Sequence, residues 1–327
     1  MKQKSRIIDS RVVIFLLILL LGFTVFISFF LGSVFISPDE LFNSEIFWQI
    51  RLPRVVLAAL IGLLLSISGV ILQGILKNPL ADPYILGISA GGAVGSAIAI
   101  AIGAQFVIFG LSFLPLSAFI FALLAVLIVY KLSQVGGKTK PETLILAGVA
   151  LSAFCAAILS LIIILTGNLQ AIYFWLLGSL SSASWSNVIT VAPYAVVGAI
   201  IAYFFSKELN ALLLGEEMAA TLGVEVEKSR LFLIIIASLM TAAAVSVSGL
   251  IGFVGLIVPH WIRLLRGPNH RFLIPMSALS GMILMVIADT VSRTILSPLE
   301  IPIGIIMALV GAPFFLYLLR RRRVIGK

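Results

Sequence analysis

The sequence predicts an all-α integral membrane protein of about ten transmembrane helices with short cytoplasmic helices between them, and three observations carry that prediction. Of 327 residues, 61% are hydrophobic and only 11% charged, whereas a soluble domain carries about 25% charged residues. The apolar residues fall into runs near the length needed to cross a bilayer, about 20 residues. The basic residues are spaced between those runs as an even number of crossings would place them.

The net charge of +9 would raise the question of nucleic acid in a soluble protein. Here it has a simpler origin, because Lys and Arg accumulate on the cytoplasmic side of membrane proteins. The single cysteine, Cys155, excludes an intramolecular disulfide and reads as a packing residue in an apolar run.

The first run, Val12 to Leu31, follows Lys2, Lys4, Arg6 and Arg11. Such a start also suits a signal peptide, but the run is long enough to span and no A-x-A-like cleavage site follows it. Further spans are expected at 54–75, 84–104, 106–132, 142–166, 188–206, 229–249, 251–266, 272–292 and 302–319, after a first at 12–34. The eighth is short and interrupted by glycines and Pro259. With the amino terminus inside, Arg51, Arg54 and Arg293 are the basic residues left on the outer side, so both termini are expected in the cytoplasm. The whole of 1–327 reads as one polytopic domain.

Between the sixth and seventh spans lies KELNALLLGEEMAATLGVEVEKSR, residues 207–230. It carries five of the thirteen acids: Glu208, Glu216, Glu217, Glu225 and Glu227. Its leucines and alanines recur at helical spacing, which predicts one or two amphipathic helices outside the lipid. A polar, helical insert between two spans is a handle for a soluble partner.

An internal echo is visible in two places. Ser66-Ile-Ser-Gly69 is followed ten residues later by Pro79, and Ser246-Val-Ser-Gly249 ten residues later by Pro259. Under the expected topology the two copies run in opposite directions, as in transporters built from inverted repeats. Recurrence of small residues in membrane helices would produce the same pattern.

No enzyme, metal or nucleotide constellation stands out. The histidines are His260 and His270, and neither H-E-x-x-H, C-x-x-C nor a G-x-x-x-x-G-K-[ST] phosphate loop is present. No cofactor is therefore expected, and if ATP drives this chain a partner hydrolyses it. Ionisable residues near helix centres are scarce. The clearest is Asp289, four residues before Arg293, a spacing that lets the two pair on one helix face. That pair reads as a structural salt bridge, since a proton-coupled carrier would hold several such groups. Arg51, Arg54 and Arg293, isolated on a sparsely charged outer face, could dock an acidic partner or snorkel to lipid phosphates.

Several stretches together resemble the FecCD or vitamin B12 permease family, the integral-membrane subunits of ABC importers for iron-siderophores, haem and cobalamin. They are Arg51-Leu-Pro-Arg54, SGVILQGILKNPLADPYILGISAG from Ser68, LILAGVAL from Leu144, LGEEMAATLGV from Leu214, GLIGFVGLIVPHWIR from Gly249, HRFLIP from His270, ADTVSR from Ala288 and EIPIG from Glu300. The resemblance is collinear from Arg51 to the carboxyl end. It implies a second permease subunit, two cytoplasmic ATP-binding cassette subunits and an extracytoplasmic substrate-binding protein, in a bacterial or archaeal cytoplasmic membrane. Leu214, Gly215, Glu216, Glu217, Ala219 and Gly223 match the segment that contacts the ATPase, and Arg51, Arg54 and Arg293 the surface that receives the binding protein. The pathway is implied to run along the fifth and tenth spans, near Leu144 to Leu165 and Ile305 to Phe315. The implied cargo is a metal chelate, iron-siderophore first, with cobalamin or haem as alternatives. An ion-coupled secondary carrier and an intramembrane enzyme acting through His260 or Asp289 are the readings from other classes.

Overall fold

A computed structural model describes residues 10–32, 43–103, 106–108, 111–135 and 138–325. Among these, thirteen α-helices follow one another: α1 (Ser10–Phe30), α2 (Leu52–Ile75), α3 (Ile88–Ala101), α4 (Phe113–Ser133), α5 (Pro141–Thr166), α6 (Leu169–Leu176), α7 (Trp185–Phe204), α8 (Ser206–Leu213), α9 (Glu216–Thr221), α10 (Val226–Ser248), α11 (Val254–Arg266), α12 (His270–Thr294) and α13 (Ile303–Ile325). Two antiparallel ladders join Val107–Ile108 to Leu111–Ser112 and Gln134–Val135 to Lys138–Thr139.

A helix covers each of the ten expected spans. Seven of them are long and apolar enough to cross a bilayer: α1, α2, α4, α5, α7, α10 and α12. Of the others, α13 runs to 23 residues, whereas α3 and α11 are shorter, at 14 and 13 residues. At ~1.5 Å per residue α3 and α11 each rise only about 20 Å, less than the ~30 Å hydrocarbon layer.

Two local departures from the expected spans have physical causes. The fourth was expected to start at residue 106, but the helix begins at Phe113 because Val107 and Ile108 pair as a strand. The run LQAIYFWL, too short to register as a span, forms the extra helix α6 just after Gly167 ends α5 in a left-handed conformation.

Burial singles out α2. In the apolar stretch of Phe47–Ile75, 83% of residues are buried, against 6% in α1. The reason is visible in LPRVVLAALIGLLLSISGVILQGI, which is apolar on every side and so can be enclosed by other helices. Helix α12 runs antiparallel along it: Arg54 meets Asp289, the Gly62 backbone meets Gly281, and Gly74 meets His270. Glycines at these crossings let backbones touch. A Cβ on Gly69 would overlap the Gly255 carbonyl of α11. Gly69→Val is accordingly expected to force α2 and α11 apart, at a cost of about 1–3 kcal/mol or more. Detergent-extracted protein should show a lowered melting temperature, and a wild-type value would contradict this packing.

The serine echo has a structural counterpart. Ser66 and Ser246 donate to the carbonyls three residues back, Leu63 and Ala243, at 3.1 and 2.9 Å. Ser68 and Ser248 donate to those four back, Leu64 and Ala244, both at 2.8 Å. Beyond that point the copies diverge, since α2 continues to Ile75 while α10 stops at Ser248 and Gly249 turns the chain at φ 68°.

Candidate functional site

Two charged regions sit at opposite ends of the α2–α12 pair. From Arg54 to Gly74 helix α2 rises about 30 Å, the thickness of a hydrocarbon layer.

At one end the 207–230 handle folds as two short helices, α8 and α9. Leu209 and Leu212 of α8 are fully buried. Gly74 permits the approach: a Cβ there would lie 3.0 Å from the Leu209 side chain and 3.2 Å from His270. Asn210 fastens α8 to the start of α12. Its Oδ1 accepts from the His270 backbone N–H at 2.9 Å and lies 2.9 Å from His270 Nδ1, and its Nδ2 donates to Asn269 Oδ1 at 3.1 Å. Asn269 in turn caps α12 by accepting from the Arg271 N–H.

Helix α9 is bracketed by Gly215 and Gly223, both at positive φ, 116° and 85°. Gly223 N–H bonds to the Ala220 carbonyl and Val224 N–H to Ala219, the paired bonds of a Schellman end. Val224 also packs against the cluster of Ala211, Leu212 and Ala219, the apolar contact that accompanies this motif. Ala219 is 0% exposed and faces inward. The outward face is Met218 and Leu222, exposed and spaced four apart so that they stack on one side, with exposed Leu214 beside them just before the Gly215 turn. Leu214 and Met218 join Gly215, Glu216, Glu217 and Glu227 in lining an open cleft of about 750 Å³. An apolar ridge edged with carboxylates can seat in a cleft that offers apolar walls and basic groups at its rim.

At the other end Arg51, Arg54 and Arg293 form a single cluster. Arg51, Arg54 and Arg293 are 4, 5 and 4% exposed. Arg54 Nε donates to Asp289 Oδ1 at 2.8 Å, and its Nη1 to the Glu300 carboxylate at 2.8 and 3.0 Å. Arg293 Nε faces Asp289 Oδ2 at 3.5 Å, so the i,i+4 pair exists but Arg54 is the closer partner. The other two arginines also serve α1. Arg51 donates to the carbonyls of Phe29 and Phe30 at 2.6 and 3.1 Å, and Arg293 to the carbonyl and hydroxyl of Ser28 at 2.8 and 2.5 Å. Those are carbonyls of the last helical turn, which lack helix partners and carry the negative end of the dipole. Glu300, with 34% of its side chain exposed, is the outward member of the cluster.

The expectation of isolated outer arginines is thus corrected, because Asp289, Glu300 and the α1 carbonyls supply close acceptors. Sequence reasoning also missed Asn210 and Arg230, polar residues whose burial depends on neighbours far along the chain. Among the described residues no group of three or more His, Cys, Asp or Glu is placed to hold a metal ion.

This multi-pass helical bundle, with an amphipathic handle at one end and a buried ionic cluster at the other, falls in the class of ABC transporter permeases, transport subunits of the membrane, by its family match and its structural neighbour. More narrowly, the chain belongs to the FecCD transport family, whose model matches residues 17–321. It is 47% identical over 291 residues to an uncharacterized ABC transporter permease protein, YvrB, of Bacillus subtilis, covering 88% of this chain and 82% of that one. The cobalamin import system permease protein BtuC of Halobacterium salinarum is 48% identical over 276 residues, covering 84% of this chain and 73% of the relative. The hemin transport system permease protein HmuU of Yersinia pestis is 37% identical over 332 residues, 98% of each. A solved metal-chelate type ABC transporter in an inward-facing conformation superposes with a TM-score of 0.86 at 36% identity, over 94% of this chain and 99% of that one.

Proposed function

We propose that this chain is the membrane subunit of a binding-protein-dependent importer that carries a metal chelate into the cytoplasm, driven by ATP hydrolysed on two partner ATPase subunits. The observation that carries the reading is the exposed apolar patch at α9, Met218 with Leu214 and Leu222 at its two ends, edged by Glu216 and Glu217. It is a docking ridge on a short helix whose companion α8 is bonded to α12. Gly215 and Gly223 set the ends of α9, Ala219 seats it, and the ridge together with Leu214, Glu216 and Glu217 meets the ATPase on the cytoplasmic side, where both termini also lie.

The opposite end receives the extracytoplasmic binding protein. Arg51, Arg54 and Arg293 act there from beneath the surface, holding Glu300 and the end of α1 in the shape to be recognised. A second copy of the chain completes the pathway along α5 and α13. Support comes from the large apolar side chains these helices leave uncovered, Leu146 and Ile164 on α5 and Leu309 on α13, which are not covered within one subunit.

Ferric siderophore is the first cargo in this reading. The 48% identity to a relative named as a cobalamin permease favours cobalamin as the second, and haem follows. The test is purification of the native complex from membranes, identification of co-purifying proteins, and ATP-dependent uptake into vesicles of a ferric hydroxamate, cobalamin and haem in turn. A chain that purifies alone and transports without ATP would overturn the proposal.

A further inference from the structure

Arg230, the fifth residue of α10, is 2% exposed and serves three elements with one guanidinium. Its Nη2 pairs with Glu216 at the start of α9. Its Nη1 donates to the Glu227 carboxylate at 2.6 Å and to the Thr139 carbonyl at 2.7 Å. Glu227 reaches the same residue, accepting from the Thr139 backbone N–H at 3.2 Å. Both backbone groups of Thr139 are therefore gripped, much as a neighbouring strand would grip them, by a base and an acid of α10.

Thr139 ends the short ladder that leads into α5 at Pro141. Thr143, in the first turn of α5, lies within 2.8 Å of the Ser133 carbonyl and 2.9 Å of that of Lys140, which ties α5 to the end of α4, where the same ladder begins. A fully buried cation with three anionic or carbonyl partners is costly to separate from them. The whole group is thus suited to move as one piece. Helix α8 has a different attachment, through Asn210 to α12.

We infer that Arg230 is a positioning residue for coupling: it carries displacement of α9 to the entry of α5 while its grip on Thr139 stays closed. The inference rests on the coupling role proposed for α9 and names where that motion goes. The two short helices then have separate outlets, α8 into the α2–α12 core and α9 into the helix along which the cargo is proposed to pass.

The experiment compares the intact complex containing wild type, Arg230→Met, Arg230→Lys or Glu227→Gln. Membrane level, ATPase co-purification, ATP hydrolysis and cargo uptake are measured for each. Arg230→Met is expected to retain assembly and ATP hydrolysis while uptake per ATP falls about tenfold, within the range of ordinary coupling energies. Arg230→Lys, a point charge that cannot fork between Glu216 and Thr139, should lie between. A short bifunctional thiol cross-link between cysteines placed at Thr139 and Glu216, the two partners that Arg230 joins, should restore uptake per ATP to Arg230→Met, a rescue that a merely structural role would not give. An unchanged uptake per ATP in Arg230→Met, or a cross-link that blocks wild-type transport, overturns the inference. Should Arg230→Met fail to assemble, Glu227→Gln decides, because it leaves the Arg230 to Glu216 contact in place: lowered uptake per ATP supports the clamp and an unchanged ratio refutes it. A wild-type complex without ATP-driven uptake would instead refute the proposed function itself.

Discussion

Met218→Asp is expected to release the ATPase subunits and to reduce ATP-driven uptake more than tenfold, while the amount of folded chain in the membrane stays near wild type. Met218 is the exposed apolar residue within α9, 53% exposed and outside the apolar cluster that seats the helix. An aspartate there would have to be desolvated on docking beside Glu216 and Glu217. Each ~1.4 kcal/mol of that penalty is a factor of ten in affinity, and an unpaired charge at the centre of an interface costs several times as much. The helix itself should not suffer, because the position lies in the first turn, where the dipole favours an acid. Ala219→Leu makes the opposite case. It inserts a side chain among Ala211, Leu212, Val224 and Val226, an overpacking that costs about 1–3 kcal/mol, so folded yield and ATPase binding should fall together. Co-purification and uptake in reconstituted vesicles separate the two variants. Intact assembly and undiminished uptake in Met218→Asp would remove α9 from the ATPase interface.

The neighbouring pair Met218 and Ala219 shows what the sequence does and does not reveal. Helical spacing was enough to foresee short amphipathic helices in 207–230, and to place the handle between two spans. Which alanine or methionine faces outward depends on how α9 lies against α8, and that is set by the turn at Gly215, not by composition. The same limit applies at the opposite end of the α2–α12 pair. Arg51, Arg54 and Arg293 could be assigned to one side of the membrane by counting charges between apolar runs. Their mutual neighbourhood follows from α2 and α12 lying antiparallel, which brings Arg54 to Asp289 across a sequence gap no local pattern reports. Helix α2 was legible as a span because it is continuous and apolar. Its central place was not, because in lipid an exposed helix and an enclosed one have the same composition. Helix α6 escaped notice for a different reason, since eight apolar residues after a glycine are indistinguishable from the end of the preceding span.

Asp289→Asn is expected to lower the stability of the folded chain by about 3–5 kcal/mol, with a smaller fall in uptake per folded molecule as the loosened end of α1 weakens docking of the binding protein. Asp289 is 1% exposed and stands between two arginines that are themselves buried. An asparagine can still accept from Arg54 Nε, but its amide group would then face Arg293 with donor against donor. Arg54 would keep Glu300, whereas Arg293 would be left with Ser28 as its acceptor. Loosening Arg293 would loosen the end of α1, which that residue and Arg51 together cap. Glu300→Gln should cost far less, about 0–1 kcal/mol, because a third of that side chain reaches solvent and its pairing is screened. Melting temperatures in detergent, read beside uptake normalised to folded protein, distinguish this account from ion coupling. In an ion-coupled carrier Asp289 would be the proton or cation site, and Asp289→Asn would fold at wild-type level yet fail to transport. In the importer proposed here the carboxylate holds three helices together at the outer face, and its loss is felt as instability before it is felt as a loss of transport.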